Sequence, residues 1–415
     1  MPTEWRDSLS IQAEESLTPC PVDHDAWSRQ KTARVVEPVG IPIERDAAGV
    51  WHVRGFEEAR TVLRSRDTRQ AGFKAELIEK LPRAMKLPML FQDGKPHQQQ
   101  RKQTARFFAP KVVSSKYWQM MEQQVERFIV NLQRKKRVDL SQLSLELAMG
   151  VTGQIVGLTN SRLPGMARRI ETFFTIEDVS LNLRTVMHFL NIQAHLAAFF
   201  FLDVKPAIQA RLRTPQEDII SYLVAQGARD SEILTECVTY GAAGIATTRE
   251  FISIAAWHLL EQPALRLRYL AAAEKERYEM LREVLRLEPV VGHLYRRTSA
   301  DLCVASNSAQ IVIPKGALID VHIYGANADE AVVGKHPLAL CPDRVLKGER
   351  ASPEMMSFGD GDHRCPGSYI ALQVTDILLR RLLALDGLRI ERAPVIHWND
   401  VIAGYQVRKF FITVK

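Results

Sequence analysis

The sequence predicts a mostly α-helical fold with a few small β-sheets, built as one large domain. Three observations lead there. Between residues 96 and 287 apolar side chains recur at helical spacing almost without interruption. Strand-like alternation is confined to short pieces towards the two ends. No internal repeat, low-complexity segment or clear linker divides the chain. Its 415 residues, enough for two or three small domains, therefore read as a single domain over 1–415 with a polar extension at 1–25.

Taken in order, 41–45 and 50–54 flank Asp46-Ala47-Ala48-Gly49 as a hairpin, and a short helix follows over 56–65. Residues 71–91 read as irregular, with Pro82 and Pro88 among Phe73, Leu81, Met85, Leu87, Met89 and Leu90. The helical middle is broken near Leu163-Pro164-Gly165, Lys205-Pro206, Thr214-Pro215 and Gln262-Pro263. Residues 231–261 form an unusually long helix whose centre mixes alanine with poor helix formers. Strands are expected at 302–305, 310–313 and 318–323. A helix over 368–385 and strands near 388–391 and 408–414 close the chain.

Composition excludes several classes. The beginning of the chain is polar and acidic, and the longest apolar cluster, residues 196–202, is too short to span a bilayer. A cytoplasmic protein without a membrane anchor is the expectation. Five scattered cysteines (Cys20, Cys237, Cys303, Cys341, Cys365) contain no Cys-x-x-Cys, which argues against a disulfide framework or a zinc site. Four of them are read as small apolar packing residues. The net charge is +7, and the run Arg134-Lys135-Lys136-Arg137 reads as a helix C-terminus rather than a nucleic-acid contact, since no aromatic residues interleave it.

The chemistry concentrates in Phe358-Gly359-Asp360-Gly361-Asp362-His363-Arg364-Cys365-Pro366-Gly367. Glycines before and after one cysteine suit a folded loop presenting a thiolate. The amphipathic helix that follows puts Cys365 at a helix start, where backbone N–H groups favour an anion. Such a protected thiolate suits the axial position of a haem iron.

This stretch resembles the haem-binding signature of the cytochrome P450 family, Phe-Gly-x-Gly-x-His-x-Cys-x-Gly, at all six fixed positions. The order of elements along nearly the whole chain is similar to the family's soluble bacterial-type members. The resemblance implies the cytochrome P450 fold, haem b (iron protoporphyrin IX) as cofactor, and Cys365 as the metal ligand, with Phe358, Gly359 and Gly367 shaping its loop. It implies that His97 and Arg101, four apart on one helix face, bind the haem propionates together with Arg296 and His363; Arg297 is the adjacent alternative to Arg296. It implies that Glu283 and Arg286, about eighty residues before the cysteine, form a buried structural pair tied to Arg344, although the usual Phe-Asp before that arginine is Leu340-Cys341.

Ala243-Gly244-Ile245-Ala246-Thr247-Thr248 matches the family's central-helix motif. A threonine there can bond the carbonyl four residues back, opening a groove floored by Gly244. The resemblance assigns the catalytic set Ala243, Gly244, Thr247 and Thr248, with Thr247 steadying dioxygen and relaying protons. The motif's acid is replaced by Ala246. Either Glu250 or ordered water substitutes for it, or the enzyme uses peroxide, or it runs a reaction without the usual proton delivery.

The reaction implied is monooxygenation: one oxygen atom of O2 enters a small or medium apolar organic substrate. Pocket candidates are residues 73–91, 186–202, 240–247 and 290–294, with the turn Ala403-Gly404-Tyr405 as a fifth. A monomer is expected, served by a separate acidic ferredoxin or flavodoxin with its reductase and docked on Lys102, Arg106, Lys111, Arg344 and Arg364. The alternatives are a peroxide-using or otherwise atypical haem-thiolate enzyme and a non-catalytic haem-binding protein.

Overall fold

The computed structural model describes residues 30–33, 40–73, 75, 87–171, 183–347, 351–400 and 402–415. The polar stretch 1–25, Cys20, and Leu81, Pro82 and Met85 of the irregular loop lie outside the described residues, as do the side chains of 183–189 in the expected pocket segment. Among the described residues no helix is long and apolar enough to cross a membrane.

The fold is organised around one helix. Helix α6 (Asp230–Glu261) runs unbroken for 32 residues and packs against α4 (Leu140–Val156), α7 (Glu274–Leu287) and α8 (Ser368–Leu383). Helix α3 (Trp118–Lys135) packs on α4 and α8. Their apolar faces form one large core, with Leu147, Val151, Ile252, Ala255, Leu281, Val374 and Leu378 almost fully buried. Helices α1 (Phe56–Arg64), α2 (Gly94–Thr104) and α5 (Leu183–Phe199) complete the elements used below.

A second core lies under a five-stranded sheet of the described residues, in the order β1 (Ile43–Arg45), β2 (Trp51–Val53), β8 (Leu318–His322), β5 (His293–Thr298), β3 (Thr68–Gln70). Val53, Ile319 and Val321 face that core with Phe56 and Leu63 of α1. Strand β2 runs parallel to β8, with His52 opposite Asp320, and β5 runs antiparallel to β8, with His293 opposite His322. The expected hairpin recurs as β1–β2, and the strands expected at 302–305 and 310–313 pair as β6 (Leu302–Ser306) with β7 (Ala309–Ile313). Strand β12 (Phe411–Thr413) pairs with β4 (Arg137–Asp139) and β9 (Arg389–Arg392), and β10 (Val395–Asn399) with β11 (Gly404–Arg408).

Some expectations need correction. Pro206 does not break the helical run: a π turn at Phe200–Val204 joins α5 to the helix Lys205–Arg213. Pro206 has no N–H to donate, and the Leu202 carbonyl four residues back accepts from the Arg162 N–H instead (2.8 Å). The basic run ends α3, as read, but Lys136 turns left-handed (φ 59°) and Arg137 opens β4, paired with Glu391. The closing strand splits in two, with Lys409 at φ 58° between β11 and β12. Strands β3, β5 and β10 were not legible as strands. Of the four packing cysteines, Cys237 is buried but Cys303 is exposed and Cys341 half-buried.

Candidate active site

The cysteine loop is a tight, multiply tied turn. The Cys365 N–H donates to the Phe358 carbonyl (2.8 Å), and Gly359 N–H to Met356 (2.8 Å). Gly359 and Gly361 both sit at φ +67°, a region costly for other residues. Gly361 is also pressed on α1: a Cβ there would lie 2.4 Å from the Leu63 carbonyl oxygen. Asp360 pins the same contact, accepting both Arg64 donors (2.8 and 3.1 Å). Gly367 needs no left-handed backbone (φ −87°); it opens α8 with its N–H near the thiol.

Cys365 is partly buried. Burial pushes the thiol pKa up, and the Gly367 N–H, Arg101 and Arg364 pull it down without prevailing. The N–H at the helix start favours the thiolate, as the sequence suggests, but does not offset the burial. A cation bound at the sulfur would supply what is missing.

Around this loop cationic and imidazole groups converge from separate elements. His97 on α2 is 2% exposed and stacks on His363 at 4.2 Å between ring centroids. Its Nδ1 is buried with no hydrogen-bond partner, and burial drives its pKa down to about 4. Arg101, one turn on, donates to the Arg364 carbonyl. Arg296 on β5 is 3% exposed and donates to Gln70 Oε1 and the Tyr295 carbonyl (2.9 Å). Burial lowers its pKa to about 10. Strand alternation puts Arg296 on the same face of β5 as Leu294, which touches the position a Gly359 Cβ would take (3.6 Å). Neither Arg101 nor Arg296 has a carboxylate partner among the described residues. The neighbour Arg297 points the other way, donating to Gly316 (2.9 Å). His363 is already engaged through Nε2 with Asp93 (3.0 Å).

On α6 the Thr247 hydroxyl donates to the Ala243 carbonyl (2.6 Å), as the spacing suggests. Ala243 is exposed in the middle of this packed helix, Thr247 half-buried and Thr248 buried. Gly244 does not floor a groove by its missing side chain: a Cβ would meet Thr152 Oγ1 of α4 at 2.7 Å. The glycine permits the close α6–α4 crossing. Ala246 opens on a cavity of about 390 Å³ shared with Arg168, Glu171, His195, Arg249, Glu250 and Arg408. Glu250 is not available as a simple replacement acid, because it is buried and accepts from Arg408 (2.6 Å) and the Val407 N–H (2.6 Å).

Beneath the loop, Arg286 grips Glu283 with two bonds (2.7 and 2.9 Å), and Arg344 donates to the same carboxylate (3.1 Å). The triad is buried, so Arg344 cannot belong to a docking surface. Tyr405 is likewise a core residue, fully buried with its hydroxyl on the Glu288 carbonyl (3.1 Å), and is not pocket lining. Three contributors escaped sequence reading: Gln70 under Arg296, Asp93 on His363 and Thr152 against Gly244. Each is distant in sequence from its partner and carries no local signal.

A mostly α domain, with imidazole and guanidinium groups gathered at a glycine-bracketed cysteine, is the arrangement expected of a haem-dependent oxidoreductase. The cytochrome P450 family model matches residues 278–385. Over 391 residues the chain is 25% identical to the biotin biosynthesis cytochrome P450 of Bacillus subtilis, covering 90% of each. It is 24% identical over 386 residues to the erythromycin C-12 hydroxylase of Saccharopolyspora erythraea, covering 88% of this chain and 89% of that one. Among solved structures, P450BioI in complex with a hexadec-9Z-enoic acid-ligated acyl carrier protein superposes with TM-score 0.72 at 22% identity, covering 90% of this chain and 96% of that one. CalO2 gives the same TM-score at 21% identity, covering 91% and 93%. Together the family match and these relatives support a bacterial-type cytochrome P450, a monooxygenase with haem as its cofactor.

The residues present fit that cofactor. The orphaned Nδ1 of His97 and two arginines without carboxylate partners among the described residues are what a group bearing two propionates would complete.

Proposed function

We propose that the protein inserts one oxygen atom from O2 into a small or medium apolar organic substrate, with Cys365 ligating the haem iron. The observation that supports this reading is the convergence of His97, Arg101 and Arg296 on the Cys365 loop, with no carboxylate partner for the two arginines among the described residues. In this reading Arg101 and Arg296 bind the propionates by paired N–H donors, His97 donates from Nδ1, and His363, steered by Asp93, packs over His97. Phe358, Gly359 and Gly367 keep the sulfur covered and close to the α8 N–H groups.

The bound haem supplies dioxygen activation, favoured by electron donation from the cysteine thiolate. The chain's own residues do the rest. Exposed Ala243 and the Thr247 hydroxyl line the side of α6 that receives dioxygen, Gly244 fixes the helix against α4, and buried Thr248 anchors the turn. With its proton committed to Ala243, the Thr247 oxygen is left to accept a proton donor and pass it on. Water in the cavity at Ala246, held by Arg249, Arg408 and Glu250, stands in for the absent acid. Apolar and partly exposed Leu90, Phe91, Ala243, Val291 and Leu294 orient the substrate.

Electrons come from a separate acidic ferredoxin or flavodoxin, docked on exposed Lys102, Arg106, Lys111 and Arg364. The alanine at 246 also favours a second reading, in which peroxide is the oxidant and brings its own protons. The reduced carbon monoxide difference spectrum tests the thiolate: wild type should show the thiolate-ligated band and Cys365→Ala should not. An unchanged spectrum in Cys365→Ala would sink the assignment. Product yield with hydrogen peroxide against yield with redox partners separates the two oxidants. Reduction rates insensitive to salt would refute the docking surface.

A further inference from the structure

On the far side of the five-stranded sheet from its apolar core, three neighbouring strands bring imidazoles and a carboxylate together. Val53, Ile319 and Val321 point into the core, so alternation turns His52 of β2 and Asp320 and His322 of β8 to the opposite face. His293 of β5, paired with His322, joins them. His52 Nδ1 lies 2.8 Å from His322 Nε2 and 3.7 Å from Asp320 Oδ2. His322 Nε2 lies 3.4 Å from the same oxygen. Three ligands held about 2.0–2.1 Å from a zinc ion sit about 3.3 Å apart in a tetrahedron. The observed separations bracket that value.

The surroundings are those of a ligand set as well. The other nitrogen of His52, Nε2, faces Asp46 Oδ2 at 3.2 Å. His293 Nδ1 faces both oxygens of Asp320, Oδ1 at 2.9 Å and Oδ2 at 3.1 Å. Carboxylate–histidine pairs of this kind fix the tautomer and aim of a ligating ring. Asp320 and His322 are buried while His52 is about 20% exposed, which leaves an approach from solvent and a position for water.

We propose that His52, His322 and Asp320 bind a divalent first-row transition ion of the zinc type, with Asp46 and His293 orienting two of the ligands. The ion clamps β2 to β8 and, through His293, braces β5, the strand that presents Arg296 towards the cysteine loop on its other face. This site is separate from the haem and its ligand set is the two-histidine, one-carboxylate kind that such ions accept.

The test uses the haem-loaded protein carrying Cys303→Ser, which removes an exposed thiol. Zinc is titrated against a chromogenic chelator in this parent and in the same protein with His52→Gln or His322→Gln. The expected result is one zinc ion per chain, with binding weakened at least about tenfold in either variant and an unchanged haem spectrum. A zinc-induced rise in Tm should appear in the parent only. Equal zinc affinity in parent and variants, or no binding at micromolar zinc, overturns the proposal and leaves a hydrogen-bonded network. Should the variants fail to fold, diethyl pyrocarbonate labelling of the parent decides: zinc should protect His52 and His322, and unchanged labelling overturns the site.

Discussion

His97 and His363 stack face to face, 4.2 Å between centroids, with one ring from α2 and the other from the cysteine loop. Burial, the neighbouring His363 and Arg101 together hold His97 neutral down to about pH 4, whereas in an unfolded chain it would take a proton near 6.5. Between these values the unfolded state binds the extra proton. Stability of the haem-free chain therefore falls as pH drops from about 6.5 to about 4 and levels off below. His97→Gln should flatten that part of the profile in urea midpoints. Identical slopes for both proteins would count against it.

Arg296 makes a prediction with two opposite signs. Its guanidinium is buried and has no carboxylate partner among the described residues, so it burdens the haem-free chain. Charge-assisted hydrogen bonds to a propionate are worth about 1.5–3 kcal/mol, roughly tenfold or more in affinity. Arg296→Gln should speed haem loss to a scavenging protein by about that factor and leave the haem-free chain no less stable. Faster haem loss accompanied by a matching drop in haem-free stability would point to a packing role instead.

The contrast between Cys365 and Arg296 shows what the sequence could reveal. The loop was legible because its rules are local: Gly359 and Gly361 need positive φ and the helix after Gly367 announces itself by period. Arg296 was legible only through family resemblance, because β5 carries His293, Tyr295 and Arg297 on one face and Arg296 and Thr298 on the other, which hides its alternation. The Gly244–Thr152 contact and the burial of Arg344 depend on which helices and loops meet, which periodicity does not specify. The long central helix was readable to within a residue; the splitting of the last strand at Lys409 was not.

Glu283 holds Arg286 and Arg344 at once, and the Cys341 N–H as well (3.0 Å). Removing it strands two guanidinium groups, both nearly buried. Breaking a buried pair by deleting one partner costs about 3–5 kcal/mol. Glu283→Ala should yield a protein with little soluble haem-loaded material and a matching loss in denaturation midpoint. Replacement of Arg268, whose bonds to Asp343 lie on the surface, should cost under about 1 kcal/mol. Equal costs at the two sites would refute the ranking.

In the proposed reading the oxygen route turns on Ala246. The Thr247 hydroxyl donates to the Ala243 carbonyl, so the proposal takes the next proton from outside the helix, and Arg249, Arg408 and Glu250 line the polar cavity beside Ala246. Ala246→Leu would displace water there without touching the thiolate. If water serves, that variant should give about tenfold less product per electron consumed and release more peroxide, at unchanged carbon monoxide spectrum. Ala246→Asp should retain coupling, since a carboxylate would face the arginines of the cavity. The peroxide-driven reading expects the opposite pattern: product formed from added hydrogen peroxide would be indifferent to both substitutions. Coupling that survives Ala246→Leu with reductase-supplied electrons would remove the cavity from the proton path.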